Sequence, residues 1–218
     1  MQHRHPQYYG LEQLDKKLEA FIDYDNGYFV ELGANDGITQ SNTYYFETYR
    51  KWHGVLIEPV LHNFFQCKKV RSPRNKILCN ACVSFEYTAD FVPILYCNLM
   101  STPINVSSDI ERPVQHVLEG QKHLAQQEEP VLFGAHAKTL NSILIEAGSP
   151  ENIDLLSLDV EGGELEVLKG VDFKKFTFKY ICIECRNIKK MVTFLHNHGY
   201  ELVKHLQLND YLFKSSKV

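Results

Sequence analysis

The stretch Gly27-Tyr28-Phe29-Val30-Glu31-Leu32-Gly33-Ala34-Asn35-Asp36-Gly37 limits the fold of this chain more than any other. Residues 28–32 are aromatic and aliphatic apart from Glu31, the composition of a buried strand. Gly33 and Gly37 bracket the loop that follows, and glycine admits a positive φ or a close ligand approach without steric cost. A second strand is expected at 54–58, ending in Glu58 and stopped by Pro59. Strand, glycine turn, helix, then a strand ending in an acid is the layout of a nucleoside-binding crevice in an open α/β sheet. The acid at the second strand end is placed to accept hydrogen bonds from ribose hydroxyls.

The loop chemistry narrows the nucleoside. A dinucleotide fingerprint needs G-x-G-x-x-G so that backbone can approach a pyrophosphate; here the spacing is G-x-x-x-G. Glu31 and Asp36 would repel a dianion. They suit a phosphate-free ligand with a cationic end, and S-adenosylmethionine (SAM) has an ammonium, a sulfonium, a ribose and an adenine. The expected cofactor contacts are Glu31, Gly33, Asn35, Asp36, Gly37, Glu58 and Pro59. Ser41 and Asn42 either cap the next helix or donate to a ligand carboxylate. Asn80 and Ala81, near the end of a third strand at 77–84, are candidates for the adenine edge. The bland alternative is a strand-turn-helix with incidental glycines.

Composition excludes several classes. The 218 residues suit one α/β domain. Lys+Arg 23 against Asp+Glu 27 gives a net charge of −4, whereas a nucleic-acid protein normally carries a basic face. No apolar run is long enough for a transmembrane helix, and with its polar start, Met1 to Pro6, no secretory signal is expected. Cys79/Cys82 and Cys182/Cys185 form two C-x-x-C pairs, the spacing of a zinc site. Three of the four lie in apolar strand-like runs, where reduced cysteine acts as a small hydrophobe. Free thiols without a signal point to the cytoplasm.

Further along, helices are expected at 11–22, 61–70 (with Phe64, Phe65 and Val70 facing the core), 139–147, 165–168 (capped by Gly170) and 189–198. Strands are expected at 153–158, 178–183, 201–204 and 210–213. An extra strand or hairpin is expected within 85–100. Residues 101–138, the least regular part, read as an insert over the crevice mouth, either a substrate-selecting lid or a solvated helix.

The second informative stretch is Leu158-Asp159-Val160-Glu161-Gly162-Gly163-Glu164. Asp159 ends a strand, and Glu184 ends its neighbour, so both face the crevice. Asp159, Glu161 and Glu184 are the catalytic candidates, and Asp159 also lies within reach of the cofactor. Glu164 is favoured in a first helical turn by the helix dipole. A carboxylate can take the proton of an attacking hydroxyl. Alternatively, Asp159 and Glu184 hold Mg²⁺ or another hard divalent cation, as oxygen-only ligands would select. His53 and His136 are alternative bases. The turn lacks the Asn/Asp-Pro-Pro-aromatic pattern of enzymes that methylate amino groups of nucleic acids, which favours a hydroxyl acceptor.

Residues 29–37, Ser41-Asn42-Thr43 and Trp52-His53-Gly54-Val55-Leu56-Ile57-Glu58-Pro59 together resemble the FkbM-type SAM-dependent methyltransferases. Residues 158–164 with Val167-Leu168-Lys169-Gly170 resemble that family's second signature, and the likeness spans roughly 25–205. It implies a Rossmann-like class I methyltransferase fold, a mostly parallel seven-stranded sheet with helices on both faces and the last strand antiparallel. It implies O-methylation, with sugars of glycans, polysaccharides or glycosylated metabolites as frequent acceptors. Cys185-Arg186 after Glu184 departs from the family's usual aliphatic-histidine pair. A nicotinamide-dependent oxidoreductase and a non-catalytic SAM- or glycan-binding module are the rival readings. The sequence names neither the acceptor nor an oligomeric state.

Overall fold

The computed structural model describes residues 6–104, 106–124, 126 and 128–217; the polar start at residues 1–5 lies outside them. The strands are β1 (Tyr28–Leu32), β2 (His53–Ile57), β3 (Lys76–Leu78), β4 (Ala81–Val83), β5 (Phe91–Tyr96), β6 (Thr102–Pro103), β7 (Val131–Thr139), β8 (Asn152–Leu158), β9 (Thr177–Glu184), β10 (Tyr200–Gln207) and β11 (Asp210–Ser215). The helices are α1 (Leu14–Glu19), α2 (Tyr44–Arg50), α3 (Leu61–Val70), α4 (Pro113–Gly120), α5 (Leu140–Ala147), α6 (Glu164–Leu168) and α7 (Ile188–Asn197).

A seven-stranded sheet runs β3-β2-β1-β8-β9-β11-β10. Every pair is parallel except those of β11, which is antiparallel to both neighbours. The central strands are buried on both faces, so they read as near-continuous apolar runs rather than alternating ones. One apolar cluster, including Leu32, Ile57, Leu144 and Phe178, packs one face. A second, including Leu18, Phe46, Trp52 and Tyr180, packs the other. The chain reverses its progress across the sheet between β1 and β8, the switch point where open α/β sheets bind ligands.

Several expected elements change. Glu12 and Gln13 have positive φ values of 52° and 58°, so the helix expected at 11–22 shrinks to α1 and leaves Leu11 exposed. The strand expected at 77–84 is two pieces. β3 closes the main sheet, and β4 leaves it to pair with β7. On α3 the buried residues are Asn63 and Cys67, while Phe65 is 59% exposed and Val70 38%. The helix thus turns a polar residue toward the crevice and an aromatic away from it. Gly170 does not cap α6 in a left-handed conformation; a Cβ there would lie 2.1 Å from the Val83 carbonyl oxygen. Much of 101–138 is regular: β6, α4 and most of β7 fall within it, and β4-β7-β5-β6 form a separate four-stranded sheet over a small core of Val83, Val92, Ile94 and Ala135.

The β1 loop is braced from beneath. The fully buried Arg71 guanidinium donates through Nε to Glu47 (2.7 Å), through Nη1 to Glu31 (3.2 Å) and the Gly37 carbonyl (3.1 Å), and through Nη2 to Thr43 (2.8 Å). It also lies 5.3 Å from the ring centres of Phe29 and Tyr44. Truncating one partner of such a network strands buried carboxylates, at a cost of about 3–5 kcal/mol. Arg71→Ala is therefore expected to lower the urea midpoint sharply, and Arg71→Lys to rescue little, since an ammonium cannot reproduce the fork. A variant unfolding with the native midpoint would refute this.

Candidate functional site

A cavity of about 420 Å³ opens at the C-terminal ends of the parallel strands, within the size range of small-molecule sites. Of the sequence-predicted residues, Gly33, Asn35, Asn42, Glu58, Pro59, Asn80, Ala81, Asp159, Glu161 and Glu184 line it. Glu31, Gly37 and Ser41 do not, and Asp36 lines a neighbouring cavity instead.

Glu31 has its partners within the protein. Its carboxylate accepts from Ser41 Oγ (3.0 Å), Asn42 N (2.9 Å), Thr43 Oγ1 (2.7 Å) and Arg71. Ser41 Oγ also accepts from Tyr44 N at 3.1 Å, so it serves the first turn of α2 while holding Glu31. Asn42 is turned differently: its Nδ2 donates to Ser157 Oγ at 3.1 Å, and its buried Oδ1 has no partner. Asp36 folds back on its own loop, accepting from the N–H groups of Ile38 (2.8 Å) and Thr39 (2.7 Å).

Glu58 sits just past β2. Its two oxygens accept from Asn35 N and Val60 N, both at 2.8 Å, which fixes the carboxylate plane at the cavity wall. Burial, helped by the Asp36 charge, raises it to about 7 against those two hydrogen bonds. Gly33 faces it with φ +77°, and a Cβ there would lie 1.9 Å from the Asp159 carbonyl oxygen. The end of β8 and the β1 loop are in contact because that side chain is missing.

Across the cavity, Asp159, Glu161 and Glu184 each bring a carboxylate oxygen within 4.8 Å of the others. Asp159 reaches solvent through the cavity, but protein packs round its remaining sides. Burial first, then the Glu184 and Glu161 charges, hold its carboxyl well above the usual range. Glu161 adopts φ +52°, ahead of Gly162 at +99°, and Thr102 Oγ1 donates to its carbonyl at 2.8 Å. Its Oε2 lies 3.1 Å from both Arg186 Nη2 and His116 Nε2. Asp109 closes the group by accepting from Arg186 N at 2.7 Å. Three carboxylate oxygens in reach of one another form an all-oxygen donor set that fits a hard divalent cation.

His116 and Arg186 escaped sequence reasoning. His116 lies in the insert, where no motif marked it; Arg186 was legible only as the residue two past a strand-end acid. The two histidines singled out in the sequence lie elsewhere. His53 is bonded to Arg74 at 3.0 Å, and His136 lies on β7; neither lines the cavity. Glu164 is structural: its buried carboxylate Oε1 accepts from Val160 N and Gly162 N, both at 3.1 Å, closing the turn. The C-x-x-C cysteines form no metal-binding group among the described residues, and all six cysteines are free.

A family model described as the methyltransferase FkbM domain matches residues 31–202. Curated proteins offer no match to this chain. Among solved structures it is similar to precorrin-6y C5,15-methyltransferase from Geobacter metallireducens GS-15, at 13% identity and TM-score 0.43 over 93% of this chain and 85% of that one. It is also similar to a SAM-dependent methyltransferase from Thiobacillus denitrificans in complex with S-adenosyl-L-homocysteine, at 10% identity and TM-score 0.40 over 93% and 69%.

Burial raises Glu164 from 4.5 to about 8. The native state then binds one more proton than the unfolded chain between those values, so stability from this group is full below about pH 4.5 and is lost as pH rises to about 8. Glu164→Gln keeps an acceptor at Oε1 and removes the charge. Its stability relative to the native chain should grow by about 2–4 kcal/mol from pH 5 to pH 8, since each pH unit between the two values is worth about 1.4 kcal/mol. Thermal melts of both chains across that range check this; a constant difference would contradict it.

Proposed function

Because the chain belongs to the FkbM family of SAM-dependent methyltransferases, we propose that it transfers the methyl group to a sugar hydroxyl, in a glycan, polysaccharide or glycosylated metabolite. The observation that carries the reading is the cavity in which Gly33 and Glu58 face Asp159, Glu161 and Glu184. Glu58 receives the ribose hydroxyls on the lone pairs its backbone donors leave free. Asn80 and Ala81 border the adenine. The sulfonium then points toward Asp159.

Methyl transfer from a sulfonium needs little covalent help, so alignment is the protein's main contribution. The acceptor hydroxyl approaches from the insert side. Its proton passes to the carboxylate pair Asp159–Glu184 as the oxygen–methyl bond forms and the methyl–sulfur bond breaks, leaving S-adenosylhomocysteine. Asp159, Glu161 and Glu184 would hold Mg²⁺ if one is used; such an ion lowers the pKa of a bound hydroxyl. Glu161 would then share its carboxylate with Arg186. No helix of the described residues is long and apolar enough to cross a membrane, and six free thiols fit a reducing cytoplasm. The acid-rich cavity disfavours a nucleic-acid acceptor, whose phosphates it would repel.

Release of S-adenosylhomocysteine, measured against a panel of sugars with and without EDTA, tests the proposal. Asp159→Asn is expected to reduce kcat about 10²–10⁴-fold, the usual worth of a positioned acid or base. Full activity in EDTA would remove the metal. Calorimetric binding of NADH, with SAM silent, would replace the transferase with an oxidoreductase.

A further inference from the structure

Six carboxylates line the main cavity, those of Glu58, Asp159, Glu161, Glu166, Glu184 and Asp210. Among the described residues only one lysine or arginine, Arg186, lines it with them. Arg186 comes two residues after the end of β9, so the strand that delivers Glu184 also delivers a cation. Its guanidinium faces two acids. Nη2 donates to Glu161 Oε2 at 3.1 Å, and Nη1 lies 3.8 Å from Asp109 Oδ1. The Arg186 backbone N–H donates to the other Asp109 oxygen at 2.7 Å.

Asp109 Oδ1 is buried and has no hydrogen-bond partner among the described residues, which leaves the guanidinium as the charge facing it. Glu161 Oε2 also has His116 Nε2 at 3.1 Å, but that ring is a cation only when protonated. Arginine is always charged, and its planar fork suits carboxylates. The oxygens of Asp159, Glu161 and Glu184 lie within 4.8 Å of one another and repel when ionised. Arg186 is the fixed positive charge that offsets them. A divalent ion using Glu161 Oε2 would share that oxygen with the guanidinium, and the two cations would repel.

Resting on the reading of the carboxylate cluster as the acceptor-facing part of a methyltransferase, and not on the acceptor being a sugar, we propose that Arg186 is the resident cation of this site. It occupies Glu161 in place of a divalent ion and keeps such ions off the cluster. It also holds Glu161 beside Asp159 and Glu184, so that the acceptor meets a cluster already formed. Arg186 acts through Glu161 and is a positioning residue.

Calorimetric titration with Mn²⁺ and with Mg²⁺ tests this on the native chain, Arg186→Gln and Arg186→Lys, with circular dichroism to show that each is folded. Arg186→Met replaces Arg186→Gln, with the same expectation, if the glutamine variant does not fold. The native chain and Arg186→Lys keep the positive charge and are expected to bind either ion equally weakly. Arg186→Gln is expected to bind Mn²⁺ about tenfold more tightly, since a nearby like charge has been removed, and to melt at a higher temperature when Mn²⁺ is added. A purely structural Arg186 would lower the melting temperature of the variants and leave ion affinity unchanged, and that result would overturn the proposal. Tight ion binding by the native chain that Arg186→Gln does not improve would overturn it as well. A native chain that leaves SAM unbound would sink the methyltransferase reading instead; the ion titrations need no SAM and decide the role of Arg186 separately.

Discussion

The backbone of Gly33 and the carbonyl of Asp159 occupy space that admits no Cβ between them. The β1 loop and the acid cluster meet at one cavity because of that approach. β1 and β8 are adjacent parallel strands, with Leu32 opposite Leu158, and each ends one residue before the contact. A side chain at position 33 would force the strand ends apart and lengthen the distance from the β1 loop to the acid cluster. Alignment is the main thing a protein contributes to methyl transfer, and this single missing side chain sets how the two strand ends are aligned.

The acids around the cavity divide by what they bind. Glu31 and Glu164 spend their oxygens on the protein itself: Glu31 gathers the 41–43 segment and Arg71, and Glu164 closes the turn after β8. Glu58 is intermediate, with one backbone donor on each oxygen and the remaining lone pairs toward the cavity. Asp159, Glu161 and Glu184 face the open space. Sequence alone separates these groups only in part: first-turn position marks Glu164, but no local pattern tells Glu31 from the acids that line the cavity. What separates them is donor supply. Where backbone N–H groups or Arg71 are close, as at Glu31 and Glu164, the carboxylate is consumed; Glu161 is shared with Arg186 and His116, and Asp159 and Glu184 border the cavity.

The spine was legible for the same reason that parallel sheets are: strands buried on both faces leave long apolar runs, and the β1, β8 and β9 runs match the strands within two residues. The parts that misread were those where a local pattern had two outcomes. Ile77 to Ser84 is one apolar run but two strands, because it passes from one sheet to the other at Cys79-Asn80. The aromatic pair Phe64-Phe65 suggested the core face of α3, yet the helix buries Asn63 and Cys67. The insert hid β7, although Val131-Leu132-Phe133 follows Pro130 directly. Its partners β4 and β5 are remote in sequence, and no periodicity within the strand announces them. His116 was invisible for a related reason, since its meaning comes only from α4 lying against the Glu161 turn.

That docking gives the second sheet its role. Thr102 Oγ1 bonds the Glu161 carbonyl, Asp109 N bonds the Gly162 carbonyl at 3.1 Å, and His116 reaches the Glu161 carboxylate. Two hydrogen bonds from the insert thus fasten a turn whose Glu161 sits in the left-handed region, a conformation that costs a non-glycine residue about 1 kcal/mol or more. The strain persists because the insert over-determines the turn. The same contacts hold Glu161 beside Asp159 and Glu184, so the insert wall of the cavity and the carboxylate cluster are one mechanical unit. Loosening the insert would open the cavity and disperse the carboxylates together, which ties access to the site to the integrity of its chemistry.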